Sequence, residues 1–227
     1  MEFSPEYLVS ILKIVWIDLL LSGDNAVVIA LACRSLPDKQ RRWGILLGAG
    51  AAVGLRIAFA LVISQVMLIP FLMTVGGLLL VWIAVKLLRG EDHNEHNIAA
   101  PDKLWQAVRT IAMADAVMSL DNVVAISAAS GGDYWLFIFG LALSIPLIIA
   151  GASLITGLIQ RFPIFIWAGA GLLGWIAGEM IAKDPALHDF GMPHGTMAHY
   201  VAAVIGAGLV IVVGWWLKRR DETVETV

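Results

Sequence analysis

The chain has 227 residues, 59% of them hydrophobic and 15% charged, with a mean hydropathy of +0.84 and a formal net charge of −3. Soluble domains run about 45–50% apolar and about 25% charged, so this composition excludes a soluble enzyme, a nucleic-acid-binding module and a disordered regulator. It points to a polytopic membrane protein; the lone Cys33 excludes an intramolecular disulfide and a thiolate metal cluster.

A membrane-spanning helix takes roughly 20 mostly apolar residues, and seven segments reach that length. The N-terminal Met1-Glu2-Phe3-Ser4-Pro5-Glu6 is acidic and lacks the basic n-region of a cleaved signal, so the first segment, about 8–33, is expected to remain a span. It carries Asp18, Ser22, Asp24 and Asn25. The second, about 44–64, holds Arg56 roughly 20 Å inside by helical rise. Its Gly44-x3-Gly48 and Gly50-x3-Gly54 patterns read as packing surfaces. The third runs over about 67–88, with Lys86 near its end, and the fourth, about 104–129, carries Asp115, Met118, Ser119, Asp121 and Asn122. After a fifth at about 134–156, the sixth, about 163–182, holds Glu179 and the packing pattern Gly174-x3-Gly178. The seventh, about 198–217, ends on Trp215 and Trp216, which read as an interfacial anchor.

Orientation follows from the basic residues. Arg34, Lys39, Arg41 and Arg42 flank the first loop, Arg89 and Lys103 the third, Arg161 the fifth, and Lys218, Arg219 and Arg220 the tail. The second and fourth loops have no Lys or Arg, and the sixth has only Lys183. The expectation is an outside N-terminus and a cytoplasmic C-terminus.

Spans 1 and 4 share a polar pattern. Asp18-x3-Ser22-x-Asp24-Asn25-Ala26-Val27 lies over Asp115-x3-Ser119-x-Asp121-Asn122-Val123-Val124, and Leu79–Lys86 lies over Leu172–Glu179 at nearly the same offset. Each copy has three spans, an odd number, so the second enters the membrane from the opposite side. The expected fold is all-α, a single transmembrane domain: repeat 1 over about 8–88, an inverted repeat 2 over about 104–182, and an extra helix over about 198–217. In many secondary transporters that architecture places substrate near the midplane between repeats.

Five acids fall inside spans: Asp18, Asp24, Asp115, Asp121 and Glu179. At about 2.5–3.5 kcal/mol each on insertion scales they cost on the order of 12–17 kcal/mol together, so each needs a polar surround and a partner. Arg56 is expected to pair with one aspartate, while Lys13 and Lys86 lie near span ends and can snorkel. Inverted symmetry gathers the four aspartates around one level. On a regular helix Asp18, Ser22 and Asn25 share a face and Asp24 does not; a local unwinding near Ser22-Gly23 and Ser119-Leu120 would bring them together. Carboxylates, the amide oxygens of Asn25 and Asn122 and the hydroxyls of Ser22 and Ser119 form a hard oxygen set suited to Mg²⁺, Ca²⁺ or Mn²⁺. The Met118 thioether tilts that set towards Mn²⁺. Structural readings compete: the acids as ion-paired clasps, the Ser and Asn residues as interhelical glue. The histidines His93, His96, His188, His194 and His199 read as solvated loop residues, since no zinc spacing appears.

With these residues in view, the sequence resembles the TerC family of bacterial integral membrane proteins, in its YjbE-type branch. The resemblance is carried by Asp18–Asn25 and by Met118-Ser119-Leu120-Asp121-Asn122. It implies a seven-helix protein of the LysE-like transporter group in the bacterial cytoplasmic (inner) membrane. Members are associated with manganese efflux and with metal supply to exported enzymes, and the family name comes from tellurium resistance. The resemblance places metal roles on Asp24, Asn25, Asp121 and Asn122, and extends them to Asp18 and Asp115.

The leading expectation is a secondary transporter, not an enzyme, that exports a divalent cation, Mn²⁺ first, with no resident cofactor. Expulsion against an inside-negative potential costs about 4.6 kcal/mol per dication at 100 mV, which calls for a coupling ion. Protons suit it, because buried carboxylates can trade a metal for protons, with Glu179 or Asp18 as the coupling group. The alternatives are a membrane factor assisting insertion or metalation of exported proteins, and transport of another ion such as Ca²⁺. Expected partners are the metal ion and the bilayer, then a second copy of the chain, the secretion machinery or exported metalloenzymes.

Overall fold

The computed structural model describes residues 5–66, 69–89, 100–130, 133–189 and 196–225. Every element among them is an α-helix: α1 Pro5–Leu21, α2 Gly23–Cys33, α3 Asp38–Val66, α4 Leu72–Arg89, α5 Ala100–Ala129, α6 Tyr134–Arg161, α7 Ile164–Ala182, α8 Pro185–Asp189 and α9 Thr196–Glu225. Five of these are long and apolar enough to cross a membrane, and six if the bent pair α1–α2 is one span. The expected span at 104–129 lies within α5, which is long enough but whose apolar character is diluted by Asp102, Lys103, Arg109, Asp115 and Asp121.

The chain forms two compact units, residues 1–68 with 104–157, and residues 69–103 with 158–227. Each unit draws on both sequence repeats. The first unit takes the leading helices of each copy, α1–α2 and α3 with α5 and α6. The second takes the trailing helix of each, α4 and α7, together with α9.

The first unit has two apolar clusters. One joins Ile29 and Cys33 of α2, Ile45 and Ala49 of α3, Ala107 and Ile111 of α5, and Ile148 and Ala152 of α6. The other joins Ile14 of α1, Val53 of α3, Val123 and Ile126 of α5, and Leu136, Phe137 and Leu141 of α6. Span 1 therefore runs from the second cluster to the first, and α5 runs from the first to the second. The two motif-bearing helices are antiparallel, as an inverted pair requires, and α3 and α6 are opposed in the same way.

Span 1 breaks where its sequence is weakest as a helix. Ser22 leaves helical geometry at φ −111° and ψ 9°, and α1 and α2 meet at a bend of 55°. The Ser22 amide still donates to the Asp18 carbonyl at 2.7 Å, while the Asn25 amide turns to the Ser22 carbonyl at 3.1 Å. Gly23 follows, and glycine costs about 1 kcal/mol against alanine in a helix. The matching unwinding expected at Ser119-Leu120 does not occur: α5 is continuous from Ala100 to Ala129. Leucine is a strong helix former, so the second copy has no weak point there.

In the second unit α7 meets α9 almost backbone to backbone. A Cβ on Gly178 would collide with the Ala202 carbonyl oxygen, and one on Gly174 would lie 2.6 Å from that of Gly206. Gly174-x3-Gly178 is thus a packing surface, as is Gly44-x3-Gly48, where a Cβ on Gly48 would come within 2.5 Å of Ile111. Gly50-x3-Gly54 makes no such contact among the described residues: a Cβ at either glycine meets nothing within 4 Å. Just past the end of α7, Asp184, 1% exposed, accepts from the Thr74 amide and hydroxyl at 2.8 and 2.7 Å and from the Ala186 amide at 2.9 Å.

Candidate metal site

The polar residues of span 1 and α5 fall between the two apolar clusters of the first unit. At their centre is Arg56, fully buried on α3. Its Nη1 donates to Asp18 Oδ1 at 2.5 Å and to Ser22 Oγ at 2.6 Å. Nη2 donates to Asp115 Oδ1 at 2.8 Å, and Nε to Ser119 Oγ at 3.1 Å. Each serine hydroxyl also donates to the aspartate four residues before it, Ser22 to Asp18 at 2.8 Å and Ser119 to Asp115 at 2.9 Å. The spacing explains this, since residues four apart lie on one face of a helix. The sequence predicts one aspartate partner for Arg56, and it holds two.

Asp24 and Asn25 stand apart from that clasp. Asp24 Oδ1 accepts from the Asn25 amide at 2.9 Å. No ion pair to Asp24 forms among the described residues. Asn25 is 4% exposed, yet neither its side-chain oxygen nor its nitrogen has a hydrogen-bond partner among the described residues. Asp18 Oδ2 is likewise buried without one. Buried polar atoms are nearly always satisfied, so an orphaned buried amide calls for an explanation such as an ion or water. On the α5 side, Asn122 Nδ2 donates to the Leu21 carbonyl at 3.2 Å, next to the break. Met118 is buried. The side chain of Asp121 lies outside the described residues, and no group of three or more His, Cys, Asp or Glu suited to a metal forms among those described.

The remaining candidates lie elsewhere. Glu179, on α7 in the second unit, pairs with Lys183 at 2.9 Å, both side chains partly exposed. His93, His96 and His194 lie outside the described residues, as does the side chain of His188; His199 is half-buried in the first turn of α9. Lys13 is exposed, and Lys86 lies 5.6 Å from the Trp82 ring centre. Asp184 is the residue that sequence reasoning passes over. Its signal is Asp184-Pro185, a capping residue followed by a proline suited to the first helical position.

Apolar helices of membrane length, together with a buried, charge-paired polar layer inside the first unit, define a multi-pass integral membrane protein, because ionisable groups at such depth face the protein interior. The chain belongs to the integral membrane protein TerC family, whose model matches residues 3–222. It is 46% identical over 192 residues to "Uncharacterized membrane protein YjbE" of Bacillus subtilis, covering 85% of this chain and 88% of that one. It is 28% identical over 203 residues to "Uncharacterized membrane protein YceF" of the same organism, covering 85% and 77%. It is 24% identical over 242 residues to "UPF0053 inner membrane protein YoaE" of Escherichia coli, covering 97% of this chain and 45% of that one. No solved structure matches the chain.

Proposed function

We propose that the protein is a secondary transporter that exports a divalent cation, Mn²⁺ first, across the bacterial cytoplasmic membrane. The observation that carries the reading is the buried amide of Asn25, without a hydrogen-bond partner among the described residues, beside Asp24, the span-1 carboxylate with which Arg56 forms no ion pair. A hard cation with oxygen preference suits that pair, and the antiparallel second motif supplies Asp121 and Asn122. The ligand set is then Asp24, Asn25, Asp121 and Asn122, with Asp18 and Asp115 spent on Arg56. α5 serves as the fourth span and brings the number to seven; the N-terminus is outside and the C-terminus cytoplasmic.

Export against the membrane potential costs about 4.6 kcal/mol per dication at 100 mV, and inward proton flow offsets it. The test is Mn²⁺ flux in proteoliposomes under an imposed pH gradient. Wild type is expected to move Mn²⁺ only with the gradient, and Asp24→Asn and Asp121→Asn to abolish flux while remaining folded. Flux equal to that of empty liposomes overturns the transport reading and returns the chain to a role in assembly or metalation of exported proteins. Flux of Ca²⁺ in preference to Mn²⁺ overturns the choice of ion.

A further inference from the structure

Arg56 is bonded in a way that neutralising charge alone does not require. A guanidinium is a rigid planar fork of five N–H donors, and four bonds from it reach two helices: Asp18 and Ser22 on one side, Asp115 and Ser119 on the other. Each motif presents the same receptor, an aspartate receiving the hydroxyl of a serine one turn later. One cation serves both, because α6, the counterpart of α3 in the second repeat, has no charged residue from Tyr134 to Gln160. The grips fall next to the proposed ligands. Ser22 precedes Asp24 and Asn25 by two and three residues, and Ser119 precedes Asp121 and Asn122 by the same steps.

We propose that Arg56 is the positioning residue of the cation site: its fork ties the Asp–Ser pair of each motif to one point and so sets where Asp24–Asn25 and Asp121–Asn122 stand. The inference rests on the divalent-cation reading above. Lysine keeps the charge but is a point donor that cannot reproduce the fork.

The experiment uses the full chain in nanodiscs, with Mn²⁺ titrated calorimetrically and hydrogen–deuterium exchange followed along the backbone. Arg56→Lys is expected to fold, to bind Mn²⁺ about tenfold more weakly, as loss of a ligand-orienting partner does, and to raise exchange in segments 19–26 and 118–123 together. Asp18→Asn keeps an acceptor oxygen for the guanidinium and is expected to lose less than Arg56→Lys. An affinity for Arg56→Lys within about threefold of wild type overturns the proposal, well short of the usual loss. So does a rise in exchange spread over the whole chain, or a larger loss in Asp18→Asn, which would make Asp18 a direct ligand. If Arg56→Lys does not fold, Ser119→Ala, which removes the Nε acceptor and the hydroxyl bond to Asp115 but leaves both aspartates on the guanidinium, is judged by the same criteria. Should wild type bind no Mn²⁺, the functional reading fails by itself; the tether is then judged by exchange, a paired rise supporting it and unchanged exchange overturning it.

Discussion

Arg56 shows how a buried cation can be costly and still indispensable to its neighbours. Removing one partner of a buried ion pair costs about 3–5 kcal/mol, because the other charge is stranded. Arg56→Leu strands two, Asp18 and Asp115, and is expected to lose at least that much stability in detergent. Adding Asp18→Leu and Asp115→Leu to it should recover much of the loss, since no charge is then left unpaired. Thermal unfolding of the single and triple variants checks both statements. The polar residues of this layer are legible in the sequence because each stands out against an apolar helix. That Arg56 takes two aspartates is not, because it depends on how closely three helices approach. Asp184 escapes notice for a related reason: it sits in a loop, where an acid is unremarkable, and only the fold shows it buried against Thr74. Asp184→Ala is expected to cost about 1–2 kcal/mol, as loss of a helix cap does, read as a lowered melting temperature.

The elements differ most between the two copies of the motif. The break at Ser22 is legible from Gly23, and the unbroken α5 is what Leu120 in the equivalent place would produce. Gly23→Ala has room, since a Cβ there meets nothing within 4 Å, and it restores about 1 kcal/mol of helix propensity. It is therefore expected to leave folding intact, straighten span 1 and lower Mn²⁺ flux, with the flux assay as its check. Gly178→Val is the opposite case. Its side chain would collide with the Ala202 carbonyl, and overpacking of this kind costs about 1–3 kcal/mol, measured as lost thermal stability. The sequence marks this contact and Gly50-x3-Gly54 with the same spacing, yet only one is a contact. A small-residue pattern says that helices can approach, and tertiary structure decides whether they do.

At the scale of the molecule, the sequence repeat and the packing units divide the chain differently. The repeat splits it in order, three helices and three; packing sorts the leading helices of both copies into one unit and the trailing helices into another. A shared motif marks two stretches of sequence as alike, but which helices share a core depends on distant contacts that no local pattern records. The basic tail offers a global test. Arg219 stacks 4.0 Å from the Trp215 ring centre and Arg220 lies 5.7 Å from that of Trp216, pairs suited to a headgroup boundary. With the native Cys33 buried, Lys218→Cys supplies a reporter for an impermeant thiol reagent. Labelling in inside-out vesicles but not in intact cells is expected for a cytoplasmic C-terminus.

The single guanidinium between two matching receptors also sets a limit on symmetry. Two identical three-helix halves would bring two arginines to this layer or none, and neither arrangement balances Asp18 and Asp115 as one does. The balance depends on a difference between α3, which carries Arg56, and α6, which has no charged residue from Tyr134 to Gln160. The layer is built from matching motifs and held by an unmatched residue.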